Sequence, residues 1–323
     1  MWKTILRRVI ILIPQLIVIS LLMFILAVNM PGDAISGLIN PDIPFEEMER
    51  MREALGLNKP WYIRYVDWLR GILTGDFGQS FAHMRPVTEV IADRLWLTFF
   101  LSLYTTVLTY LLAIPLGVIA GKHSGTFIDK AILTYIFIAL AMPVVVLSIL
   151  MVFWFSPIGL GIFPLGGSVD PFIFAHGTRL EILLSRIYYM TLPAITGALI
   201  SVIGIVFMLR ANIIDRKESD YVVFARSKGV PTGKIFSKHI LRNSLIPVAA
   251  NLGLVIAGMF MGAIFIERIF NIPGIGTLFL DSISRRDFPV VNALIMFFAF
   301  LTAMGVLLSD IVLTIVDPRI RIQ

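Results

Sequence analysis

The 323 residues are 58% hydrophobic and only 15% charged, and a soluble domain of this size needs far more charge to cover its surface. The chain is therefore read as a membrane protein, and its lack of cysteine excludes disulfides, a thiolate metal site and a thiol nucleophile. The net charge of +6 follows loops and forms no stripe, which points to membrane topology and away from nucleic acid.

A helix needs about 20 apolar residues to cross the hydrocarbon core. Val9 to Gly32 carries no charge and predicts a first span over about 9–30. Lys3, Arg7 and Arg8 before it resemble a signal peptide, but the stretch is too long and offers no small-x-small cleavage site. It is read as an uncleaved helix. The region 31–95 follows as a long outer segment. There Phe45, Met48, Met51 and Leu55 recur at helical spacing, and Trp61, Tyr62, Tyr65, Trp68, Leu69 and Ile72 share one face of a second helix. Both suit a cap at the membrane surface, where Trp and Tyr are favoured, or a landing platform for an external protein.

The second span falls at about 96–121. Ala131 to Val169 is uncharged but too long for one helix, and Ser156-Pro157, Gly159, Gly161 and Pro164 stop the third span near 131–155. Further spans are expected at 187–209, 246–266 and 290–316, with a basic loop at 210–245. Unpaired backbone cannot face lipid, so all six are helices, and 1–323 is one transmembrane domain. Pro115 and Pro143 should bend their helices. Asn251, Gly253, Gly258 and Gly262 suit close helix packing or the lining of a pathway.

With the N-terminus inside, the inner segments hold 15 of the 27 Lys and Arg residues, and the short outer loops hold five. Both termini are therefore expected in the cytoplasm.

The sequence carries no catalytic arrangement. His83, His123, His176 and His239 are scattered among loops, with no H-E-x-x-H pair, no G-x-S-x-G elbow and no G-x-x-x-x-G-K-[ST] phosphate loop. Ion-coupled carriers keep ionisable groups inside the bilayer. Here only Asp310 intrudes, late in the sixth span, where it suits an interfacial acid paired with a basic loop residue.

The stretch Asp220-Tyr-Val-Val-Phe-Ala-Arg-Ser-Lys-Gly229, with Leu241-Arg-Asn-Ser-Leu-Ile-Pro247 after it, resembles the EAA loop by which permeases of ATP-binding-cassette (ABC) importers grip their ATPases. Asp220, Tyr221, Ala225, Arg226, Lys228, Gly229, Leu241, Arg242, Asn243 and Pro247 match the version of that loop found in peptide transporters. Three further groups of segments agree: Ala54-Leu-Gly-Leu with Gly75-Asp-Phe-Gly-Gln-Ser80, Phe270-Asn-Ile-Pro-Gly-Ile-Gly276 with Arg286-Asp-Phe-Pro-Val-Val291, and Asp317-Pro-Arg-Ile-Arg321. Together they are similar to the B-type permease of dipeptide and oligopeptide importers. Val223 and Phe224 stand where the general motif has Glu and Ala, and Arg242 where it has Pro. The acidic contact would then fall to Asp220 or Glu218.

The resemblance implies an all-α membrane protein with the type I ABC importer permease fold: six transmembrane helices and a helical extracytoplasmic loop between the first two. It further implies a multi-pass subunit of a prokaryotic cytoplasmic (inner) membrane, no catalysis, and no cofactor on this chain, since ATP and Mg sit on the ATPases. The implied partners are a second permease, two cytoplasmic ATPases, an extracytoplasmic binding protein, membrane lipid and a peptide substrate. Related permeases also carry nickel complexes, glutathione or oligosaccharides. From the residues alone, the loop has a short helix with small Ala225 where a partner groove needs close approach. Gly229 ends that helix, and Arg226, Lys228, Lys234, Lys238 and Arg242 make a basic face, which by itself also suits a positive-inside loop near lipid headgroups.

Overall fold

The computed structural model describes residues 2–29, 46, 49, 50, 53, 56 and 58–316. Most of the helix expected at Phe45–Leu57, most of the Ala54-Leu-Gly-Leu segment and the ending Asp317-Pro-Arg-Ile-Arg321 lie outside the described residues.

Helix α1 (Trp2–Asn29) rests on α2 (Trp61–Thr74). The Ser20 and Tyr65 hydroxyls share a hydrogen bond of 2.8 Å, and Phe24 packs its ring against Tyr65 and Trp68. The aromatic face of α2 is thereby divided. Tyr65 and Trp68 close on α1, whereas Trp61 and Tyr62 stay exposed.

The centre of the fold is the pair α3 (Val87–Lys122) and α7 (Arg179–Lys217). At about 1.5 Å per residue both outreach a hydrocarbon core of about 30 Å. Each is longer than the span expected from hydropathy, because a helix continues past the bilayer wherever polar residues still suit it. Met190, Ala194, Ala198, Val202 and Val206 are all fully buried on α7. Their four-residue spacing makes one ridge of mostly small side chains, the kind that lets helix axes approach closely. A capping box of Thr178 and Glu181 starts α7, pairing two otherwise orphaned N–H groups.

Between these two lie α4 (Phe127–Ala141), α5 (Val144–Phe155) and the short α6 (Pro171–His176). Helices α4 and α5 form one candidate span bent by 102°. Pro143 has no N–H to donate and forces Met142 into extended backbone, so the third span is a broken one.

After α7 come α8 (Asp220–Ser227), α9 (Thr232–Ile235), a π-helical turn (Phe236–Leu241), α10 (Arg242–Ser244), α11 (Ile246–Ala250) and α12 (Leu252–Gly258). The run from Thr232 to Gly258 is one candidate span. It therefore begins earlier and ends earlier than 246–266. Helices α13 (Ile264–Ile269), α14 (Ile275–Ser284) and α15 (Phe288–Val316) complete the order. Among the described residues, five helices are long and apolar enough to cross a membrane, six if the bent pair is counted as one span.

Helices α12 and α15 cross backbone to backbone. A Cβ added at Gly253 would lie 2.6 Å from the Gly305 carbonyl oxygen, and one at Gly305 would lie 2.6 Å from Ala257 Cβ.

Candidate functional site

The end of the bundle where α3 stops is built around the short helix α8. Val222 and Ala225, three residues apart, are buried against Leu209 and Ile213 of α7 and against Ile235 and Ile240 beyond the loop. Val223 and Phe224 face outward, 58% and 60% exposed, beside exposed Asp220, Arg226, Ser227 and Lys228. The Lys228 ammonium lies 4.3 Å from the centroid of the Phe224 ring, a cation–π contact that steadies the exposed aromatic. Gly229, at φ +73°, supplies the left-handed residue that ends the helix. Its N–H and that of Val230 return to the carbonyls of Arg226 and Ala225.

Of the residues picked from sequence, Asp220, Arg226, Lys228, Gly229 and Arg242 are exposed, whereas Tyr221, Leu241, Asn243 and Pro247 are half-buried. Ala225 is a different case. Its small side chain fits under α7 of its own chain, so close approach there serves this subunit's core. The outward positions are Val223 and Phe224, two of the three places where the loop departs from the general motif.

Two polar clamps tie α7 to α4 and α3 just before α8. Arg210 of α7 makes a bidentate pair with Asp129 at the start of α4, with distances of 2.7 and 2.8 Å, and the Gly125 N–H donates to the same carboxylate. Two turns further along α7, Lys217 donates to the carbonyls of Gly121 and Lys122. A cation there meets the negative end of the α3 dipole. Lys122 in turn sits 5.6 Å from the Phe236 ring in the π-helical turn.

The opposite end, where α3 begins, is closed by two buried acids. Asp287, fully buried, accepts from the Ser80 hydroxyl and from the N–H groups of Phe81 and Ala82. Glu267, also fully buried, accepts from Thr98 Oγ1 and the Thr277 N–H, both at 3.0 Å. Thr98 Oγ1 accepts in turn from the Ile275 N–H. Burial pushes the Glu267 carboxyl above its ordinary range, against the lowering effect of those hydrogen bonds. Segments 75–80, 270–276 and 286–291, scattered in sequence, are thus gathered at one end of the molecule.

Between the two ends, α3, α7 and the break before α13 line a half-open cavity of about 420 Å³, within the range of about 300–1,000 Å³ typical of ligand sites. None of its lining residues is ionisable. Among the described residues, no three His, Asp or Glu side chains converge as a metal site.

Long apolar helices around an uncharged cavity, with a helix held outward at one end, define a multi-pass membrane permease. The chain belongs to the family described as binding-protein-dependent transport system inner membrane component, whose profile matches residues 113–322, while the profile for the N-terminal part of these components matches residues 1–102. It is 37% identical over 318 residues to the oligopeptide transport system permease protein AppB of Bacillus subtilis (strain 168), covering 98% of each chain. The dipeptide transport system permease protein DppB of Lactococcus lactis subsp. cremoris (strain MG1363) is 31% identical over the full length of both. The glutathione transport system permease protein GsiC of Escherichia coli O1:K1 / APEC is 30% identical over 99% of each. This family supplies the membrane permease component of ABC importers and has the type I importer permease fold. The chain is accordingly a non-catalytic, multi-pass inner-membrane subunit that works with ATPase and substrate-binding partners.

Proposed function

We propose that this subunit forms half of a two-permease channel that imports short peptides. The observation that carries the reading is the end-to-end similarity to a permease named for oligopeptides, and relatives named for dipeptides and for glutathione point to the same chemistry. In this reading a second permease of the same kind completes the channel. Two ATPases dock on the α8 end, and a binding protein delivers substrate to the end closed by Asp287 and Glu267. Both termini then lie in the cytoplasm, and ATP and Mg stay on the ATPases.

The geometry supports a division of labour. The exposed Val223–Phe224 edge, ringed by Asp220, Arg226 and Lys228, is an apolar knob with a charged rim, the composition expected of a docking contact. Closing of the ATPase pair would push on this knob, and the Arg210–Asp129 pair would carry the push into α7 and α4. The channel would then alternate between inward-open and outward-open states. The test is reconstitution of the two permeases and two ATPases in liposomes, with the peptide-loaded binding protein supplied at its own face. ATP-dependent uptake of a labelled tripeptide is expected. Uptake of a nickel complex or an oligosaccharide, with none of any peptide, would overturn the substrate assignment.

A further inference from the structure

Inside a bilayer, a Ser or Thr hydroxyl commonly returns to its own helix, because lipid offers it no partner. This chain follows that practice at Thr109, Thr134, Ser148, Thr191, Thr196 and Thr302, each of which donates to the carbonyl four residues back. Several hydroxyls depart from it, Thr98 by donating to Glu267 and four others by standing together without a partner. Ser102, Thr105 and Thr106 of α3 and Ser201 of α7 have no hydrogen-bond partner among the described residues, and all four line the uncharged cavity.

Their placement is not scattered. Residues 102, 105 and 106 share one helix face at spacings of three and four. Thr105 packs over Gly197, where an added Cβ would meet its Cγ2 at 2.8 Å, and Ser201 stands one turn further along α7 on the same side. The two helices therefore present one ladder of unused hydroxyls to a single space.

We propose that Ser102, Thr105, Thr106 and Ser201 bind the main-chain amides of the solute as it passes, a role that rests on the peptide reading above. A hydroxyl both donates and accepts, so it serves an amide N–H or C=O in either chain direction. A fixed charge would hold some peptides too tightly and repel others, whereas passage needs contacts strong enough to admit and weak enough to release. A charge-free ladder reads what all peptides share and ignores their side chains.

The test uses the assembled transporter in liposomes with labelled tri-alanine as probe. The chain has no cysteine, so Ser201→Cys and Thr106→Cys can be followed singly. Both should react with a small hydrophilic thiol reagent and be protected when peptide-loaded binding protein and ATP are present. Leu111→Cys, exposed on another face of α3, should gain no such protection. Combining Ser102→Ala, Thr105→Val, Thr106→Val and Ser201→Ala should lower tri-alanine uptake at least tenfold, since each lost hydrogen bond costs roughly twofold to tenfold. ATP hydrolysis should still be stimulated by loaded binding protein. Normal uptake by the quadruple variant, with the unaltered transporter importing tri-alanine, would overturn the ladder alone. No import by the unaltered transporter would overturn the peptide reading and the ladder with it. If the quadruple variant fails to assemble, the cysteines decide: absence of protection overturns the proposal.

Discussion

Ser80 and Asp287 lie 207 residues apart in sequence and meet in a buried hydrogen bond. The Ser80 oxygen also accepts from the His83 N–H at 2.9 Å, and the two N–H groups of Phe81 and Ala82 complete the shell of the carboxylate. The turn before α3 is thereby fastened to the turn before α15. Asp287→Ala strands three donors in a buried place, each worth about 1–3 kcal/mol. The unfolding temperature of the purified subunit should fall clearly, and that of Asp287→Asn less. An unchanged temperature for Asp287→Ala would show that this latch is not what holds the two turns.

Orientation can be read with single cysteines. Ser80 is too buried for labelling, but its neighbour Gln79 and Ser227 of α8 are exposed. In intact cells Gln79→Cys should react with an impermeant thiol reagent, and Ser227→Cys only after permeabilisation. The reverse pattern would invert the topology.

The α8 edge separates docking from folding. Removing a large apolar contact costs about 1.5–3 kcal/mol, so Phe224→Ala should weaken ATPase assembly by about tenfold or more, and Val223→Asp further. Membrane insertion should stay normal in both. Ala225→Asp places a charge in this chain's own core and should lower the amount of folded subunit. Exposed Lys234→Ala serves as the control. ATPase capture unaffected by Phe224→Ala and Val223→Asp would remove α8 from the interface.

Arg210 and Asp129 make a pair of which the acid is only 2% exposed. Taking one partner from a buried pair costs about 3–5 kcal/mol, so Arg210→Met should destabilise strongly. Arg210→Lys keeps the charge but loses the planar fork and should be intermediate. Adding Asp129→Asn to Arg210→Met should restore much of the loss, which thermal unfolding in detergent will show.

Glu267 sets a pH dependence of known sign. Its carboxyl titrates above the unfolded value because burial disfavours the charged form. The native state therefore binds more protons between the two values. Stability is fully present below the unfolded pKa and is lost as pH rises through the folded one. Unfolding temperature should drop over that window, and Glu267→Gln should flatten it. A profile unaltered in Glu267→Gln would mean another group titrates there.

Much of this architecture is legible in hydropathy. The spans over α1, α3, α7 and α15 announce themselves as uncharged runs, and Pro143 marks the break between α4 and α5. What escapes is set by pairing between distant segments. Nothing local ties Asp129 to Arg210, Thr98 to Glu267 or Ser80 to Asp287, because each pair closes only when helices meet. Which side of α8 faces inward escaped for a related reason. Over eight residues, Val222, Val223, Phe224 and Ala225 are all apolar or small, so periodicity cannot tell the buried pair from the exposed one. The cavity hydroxyls escaped because a free Ser and a back-bonded Ser have the same letter.

The Gly253–Gly305 crossing sets a limit on how the subunit can change shape. Helices separated by interlocking side chains can slip by switching rotamers, but two that touch through bare backbone have no such gear to shift. Helices α12 and α15 should swing together like the two plies of one paddle. Any hinge that opens the channel on that side must then lie at the paddle's edge, in the turn between Gly258 and Ile264.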